Sequence, residues 1–214
     1  LNLAAYAPLR YVLTHKQEAY DAKYSTEIRG GESFFRQVDR EESLVHLLRV
    51  NVLKRMESAV SSFALTVGRQ IADVEATLTK IEAHADSITE ADIAEVDIDE
   101  PAFESLLVGR KVKVHLQDVD LVRWKQDLIE DRNRLATLHA AAIQVGAARD
   151  AKLEALRQVI EHKCIDPINP GNRKVIVFTA FADTAHYLYD QLAPWALEKL
   201  TIHSALVTGA GRNR

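Results

Sequence analysis

Glycine and proline are scarce in this sequence, with eight and five among 214 residues. That disfavours an all-β fold, whose many turns need both, and points to long helices. The single cysteine, Cys164, excludes an intrachain disulfide and a cysteine-built metal cluster, and a cytoplasmic setting is the natural reading. No apolar run approaches 18 residues, so no membrane span is expected, and the start carries no signal-peptide pattern. The eight histidines, His139, His186 and His203 among them, show no metal-ligand spacing, so no metal site is expected.

What is present is periodic. Leu53, Met56, Val60, Phe63, Val67, Ile71, Val74, Leu78, Ile81 and Ala85 recur at steps of three and four. This predicts one helix face held through residues 40–86, longer than the usual range of roughly 8 to 20 residues. A stripe that long needs a partner along its length. Leu121, Trp124, Leu128, Leu135, Leu138, Ala142 and Val145 supply one, with Asp131 interrupting the seam. After Gly146, Asp150 is placed to cap a further helix with Leu153, Leu156 and Ile160 on one face. The two long stripes predict an antiparallel helical hairpin over 40–163.

Between the stripes, residues 82–104 hold nine acids and no lysine or arginine. The chain carries −4 overall, so removing −9 leaves +5 for the rest. This acidic connector reads either as a solvated link or as a tip that repels nucleic acid or docks a basic partner. Residues 1–39 are mixed in character. Pro8 argues against a long helix there, Gly30–Gly31 mark a turn, and the segment is expected to wrap on a larger body.

"CIDPINPGNR", 164–173, is a linker by its turn residues. Val175–Phe178 then form an apolar run suited to a strand buried on both faces. Asp183 and Thr184 are good caps for a helix of about eleven residues, which Pro194 is expected to stop. "LTIHSALVTG" supplies a second β-prone run. Strand, helix and strand in that order predict a βαβ crossover. Ligands of such layers bind beyond strand ends, here at Thr179, Ala180 and the helix start. The fold class expected is mostly α with a small α/β part: 1–39 leading in, 40–163 the hairpin, 164–214 the α/β portion.

Three strings carry a family resemblance. "RKVIVFTAFADTAHYLYDQL" resembles the first strand and helix of the second RecA-like lobe of superfamily-two helicases, the segment called motif IV. "LLRVNVLKRMESAVSSF" is similar to the leucine-rich "LLKRLESS" block between the lobes of bacterial Swi/Snf-like helicase-related ATPases. "DVDLVRWKQDLIEDRNRLATL" with "RDAKLEALRQVI" resembles the helical run into the second lobe. The resemblance spans roughly residues 36–208, in the family's order.

The resemblance implies a partial RecA-like βαβ unit and a piece of an ATP-dependent DNA helicase or translocase. It implies DNA and the first RecA-like lobe as partners, and ATP with magnesium as the cofactors of a full-length parent. The phosphate-binding loop that such enzymes use, GxxxxGK followed by Ser or Thr, does not occur here. Nor do the acidic magnesium motif and the arginine finger. The chain, which begins at Leu1 and closes on "GAGRNR", is therefore expected to be a fragment, without cofactor and inactive alone. The candidate DNA-contacting residues are Lys54, Arg55, Arg173, Lys174, Thr179 and Thr184. For Lys54 and Arg55 the other reading is the solvent side of a long helix; for Thr179 and Thr184 it is a strand end and a cap. An independent helical-hairpin module that binds a protein partner is the alternative function.

Overall fold

Most apolar spacing of three and four is realised as helix. The structure, a computed structural model, describes residues 1–24, 26–27, 34–35, 37–83, 90–92 and 113–209. Among the described residues the helices are α1 (Thr14–Tyr24), α2 (Gln37–Ser58), α3 (Val60–Ala83), α4 (Leu121–Ile143), α5 (Ala151–Ile165) and α6 (Ala182–Leu200). Strand among the described residues forms two antiparallel pairs: β1 (Thr26–Glu27) with β2 (Phe34–Phe35), and β3 (Glu90–Asp92) with β4 (Lys113–His115). The fold is thus mostly α. The Gly30–Gly31 turn, most of the acidic connector and the last five residues lie outside the described residues.

The chain divides into two units, Leu1–Val52 with Val67–His139, and Leu53–Thr66 with Ala140–Arg214. In the first, α3 and α4 run antiparallel. Lys125 Nζ meets Glu82 at 3.3 Å near one end. Near the other, a Cβ placed on Gly68 would stand 3.4 Å from His139 Nε2. Val67, Val74, Leu78 and Ile81 are buried on α3, and Trp124, Leu128 and Leu135 on α4. The expected seam is there.

The first twelve residues correct an expectation. They do not wrap on the outside of a larger body. Leu3 to Leu9, Tyr11 and Val12 are all buried, turning through two 3-10 segments, Ala4–Tyr6 and Pro8–Tyr11. Four carboxylates hold this segment. Asp131, wholly buried, accepts the N–H groups of Asn2 at 2.6 Å and Ala4 at 2.8 Å. Tyr6 donates to Asp73, Leu9 N–H to Glu41, and Tyr11 to Asp127. Trp124 Nε1–H donates to Ala4 O, and the Trp124 ring stacks on Tyr11. The gap that Asp131 leaves in the apolar stripe is therefore an anchor: short 3-10 turns expose N–H groups that need acceptors once buried.

Two tyrosines of α1 close the edge of β4 in the same way. Tyr24 donates to Lys113 O and accepts from Lys113 N–H, and Tyr20 accepts from His115 N–H while donating to Asp118. Hydroxyls here take the place of a neighbouring strand. Burial, with the Asp118 hydrogen bond, pushes the Tyr20 hydroxyl up to about 12.

In the second unit, α5 and α6 pack through Leu153, Ile160, Cys164 and Leu192, with Tyr187, Leu188 and Trp195 at the margin. Asp150 caps α5 as expected, accepting from Lys152 and Leu153 N–H at 3.0 Å. Its other oxygen accepts from Tyr187, whose hydroxyl is pushed up to about 12, chiefly by burial. Pro194 does not stop α6, which runs 19 residues to Leu200. A proline removes one N–H and crowds one carbonyl, and packing of Leu192 and Ala196 on either side holds the helix through that defect. Residues 174–178 and 202–207 flank α6 without a ladder bond between them among the described residues. Ile176, Phe178 and Val207 are 77%, 90% and 75% exposed.

Candidate functional site

Two of the residues that the sequence singles out, Arg55 and Thr184, meet in the second unit, where the start of α6 lies against the end of α2 and the start of α3. A Thr or Asp early in a helix can turn its side chain back to cap the helix's own N–H groups. Here Asp183 and Thr184 do not. The cap position is Phe181, with no side-chain hydrogen bond to the helix. Asp183 instead pairs with Arg55 at 2.9 Å, and Thr184 Oγ1 lies 2.9 Å from Ser58 Oγ and 2.7 Å from Ser62 Oγ.

Arg55 corrects a second expectation. It does not lie on the solvent side of α2 but is 2% exposed. Its guanidinium sits over the Phe181 ring, 4.7 Å from the centroid. A planar guanidinium can meet a carboxylate edge-on and a ring face-on at once, which an ammonium cannot. Taking such a charge out of water costs several kcal/mol unless it is paired and hydrogen-bonded, on the order of the penalty per buried ion. Asp183 meets that requirement. Lys152 Nζ donates to Glu57 O in the last turn of α2, satisfying a helix-end carbonyl.

Of the six candidates, then, Arg55 and Thr184 come together, buried and bonded to Asp183, Ser58 and Ser62. The other four stand apart. Lys54, one residue from Arg55, is exposed. Arg173 is exposed and donates to Leu200 O at 2.8 Å. The Lys174 N–H is taken by Asn172 Oδ1, and its side chain is exposed. Thr179 Oγ1 accepts from Phe181 N–H at 3.4 Å. Sequence reasoning missed Ser58, Ser62, Phe181 and the partnership of Arg55 with Asp183. The one available signal was that Arg55 and Ser62 share a 3/4 helical face with Val52, Ala59 and Phe63.

Chemically the cluster is a neutralised, hydrogen-bonded junction. No activated nucleophile stands in it. No group of three or more His, Cys, Asp or Glu side chains that could hold a metal occurs among the described residues, and no phosphate loop is present in the sequence. No helix among the described residues is long and apolar enough to cross a membrane. No known protein family, no curated protein and no solved structure matches the chain.

Proposed function

We propose that this chain is the inter-lobe helical spacer and the opening of the second RecA-like lobe of an ATP-dependent DNA helicase or translocase of the Swi/Snf-like kind, working in the cytoplasm. One observation supports this above the rest. Val175–Phe178 and the run ending at Val207 flank α6, lie outside helix and ladder, and leave Ile176, Phe178 and Val207 largely exposed. Strands of a parallel layer are apolar on both faces and need neighbours on both sides. Two such runs around one helix have the composition of a layer that further strands would complete. The order of the resembling strings supports the same reading.

In that reading the chain itself binds no nucleotide and supplies no catalytic group. It carries the α3–α4 hairpin and presents Lys54, Arg173 and Lys174 as exposed cations toward a DNA backbone. With net charge −4, its own affinity for duplex DNA is expected to be weak and salt-dependent, on the order of non-specific binding at 10⁻⁴ to 10⁻⁶ M.

The test is ATP turnover by the protein translated from the complete reading frame, with and without duplex DNA. DNA-stimulated turnover by that protein, with none from the 214-residue chain, is the expected result. A complete protein whose turnover is absent or indifferent to DNA would remove the helicase reading and leave the hairpin as a protein-binding module.

A further inference from the structure

The break between α2 and α3 is a single residue, Ala59, and the surrounding sequence does not ask for it. Leu53, Met56, Val60, Phe63 and Val67 continue one apolar face straight through. Yet Leu53 and Met56 are 55% and 45% exposed, while the polar Arg55 and Ser62 are buried. Two backbone bonds cross the break, Ala59 N–H to Arg55 O at 2.9 Å and Phe63 N–H to Ala59 O at 3.1 Å. None joins Val60, Ser61 or Ser62 to Met56, Glu57 or Ser58.

Groups from other helices grip both sides of the gap. Thr184 bonds Ser58 before it and Ser62 after it. Asp183 and Phe181 hold Arg55 one turn upstream. Lys152 takes the Glu57 carbonyl. Local pattern and tertiary contact thus favour different states of the same eleven residues, 53–63. Such conflicts mark strained or switching positions.

We propose that α2 and α3 form a two-state joint, broken at Ala59 while the first turn of α6 is docked and one continuous helix when it is not. In the continuous form three amides regain i−4 acceptors, and Leu53, Met56 and Val60 share a face with Phe63 and Val67. The docked form keeps Arg55 paired and the three hydroxyls satisfied. Ser58 and Ser62 lower the cost of the break, because their hydroxyls bond Thr184 as readily outside a helix as within it. The joint goes beyond the helicase reading and does not depend on it.

Residue-resolved hydrogen exchange on the 214-residue chain tests this. In the double variant Asp183→Asn, Thr184→Val, the amides of Val60, Ser61 and Ser62 are expected to exchange at least roughly tenfold more slowly than in the unaltered chain. Equal or faster exchange there overturns the proposal. Because the double variant could loosen the whole unit, a second variant reads the joint directly. Val60→Pro places proline at the first position of α3, which the broken form accommodates and a continuous helix does not. Its melting temperature is expected to stay within about 2 °C of the unaltered chain. Added to the double variant, it should abolish the slowed exchange at Ser61 and Ser62. A larger fall in melting temperature, or slowed exchange that survives the proline, overturns the proposal.

Discussion

The two units satisfy their buried surfaces in opposite ways. In the first, a twelve-residue segment that begins at Leu1 is drawn into the interior, and side chains from three helices meet its backbone and hydroxyl groups. Asp131, Asp73, Glu41 and Asp127 accept from it, and Trp124 donates to it. In the second, the apolar run Val175–Phe178, with high strand propensity, stays exposed before α6, and a buried arginine and three hydroxyls form a polar junction in addition to the apolar core of Leu153, Ile160, Cys164 and Leu192. The difference teaches that burial follows the availability of partners more than the hydrophobicity of the segment. "LNLAAYAPLRYVL" and "KVIVF" are comparably apolar. One finds acceptors for its N–H groups within its own unit, and the other would need neighbouring strands.

The largest effect that would break this comparison is at Asp131. Replacing it with alanine leaves the buried N–H of Ala4 and the half-buried N–H of Asn2 without that acceptor. The expected loss is about 3–5 kcal/mol, from two bonds to a charged group, read as a fall in the urea midpoint at unchanged slope. A loss below about 1 kcal/mol, the worth of one ordinary hydrogen bond, would mean that the segment is not anchored there.

Glu41 sharpens the same unit through pH. Burial pushes its carboxyl well above the ordinary value of 4.5, against the opposing pull of the Leu9 N–H and the Arg10 charge. A carboxyl raised in the folded state contributes stability that is fully present below its unfolded value and is lost as pH rises through the folded value. Glu41→Gln removes that loss and keeps an acceptor for Leu9. The variant should melt higher than the unaltered chain at pH 8, with the gain shrinking toward pH 5. A gain that grows on acidification would reverse the assignment.

Asp150 reports on the second unit. It caps α5 and accepts from Tyr187, so Asp150→Ala should cost about 1–2 kcal/mol. Tyr187→Phe removes only one of these contacts and should cost about 1 kcal/mol or less. Tyr187→Phe costing more than the loss of the cap would place the weight on the α5–α6 contact instead.

The smallest effect is the most direct probe of the contrast. Ile176→Ser changes a side chain that is 77% exposed, so chemical denaturation should move by no more than about 0.5 kcal/mol. The same substitution in the protein translated from the complete reading frame is expected to cost several times that, if further strands cover the run as the proposed function requires.

Much of the helical architecture was legible because helix formation is governed by near neighbours. The spacing of Val67, Val74, Leu78 and Ile81, and of Trp124, Leu128 and Leu135, marks a seam whatever the rest of the chain does. Asp150 was legible as a cap for the same reason. Arg55 was not: its charge predicts solvent, and a carboxylate 128 residues away, together with the Phe181 ring, overrides that. Asp183 and Thr184 carry real capping propensity, but bonds to α2 and α3 outcompete it. Pro194 signals a helix end, and packing on both sides of it prevails.

By itself, then, the sequence determined that this chain is mostly helical, that two long stripes pair, and that a strand-like run precedes a helix near its end. Those properties follow from periodicity and local propensity, which act over a few residues. Tertiary structure alone decided that residues 1–12 belong to a core, that Asp131 anchors them, and that α2 and α3 part at Ala59. It also decided that residues 174–178 lie exposed without a ladder. Each of these turns on whether a buried donor, acceptor or charge finds its partner, and the partner lies tens of residues or more away in the chain or is not supplied by the described residues.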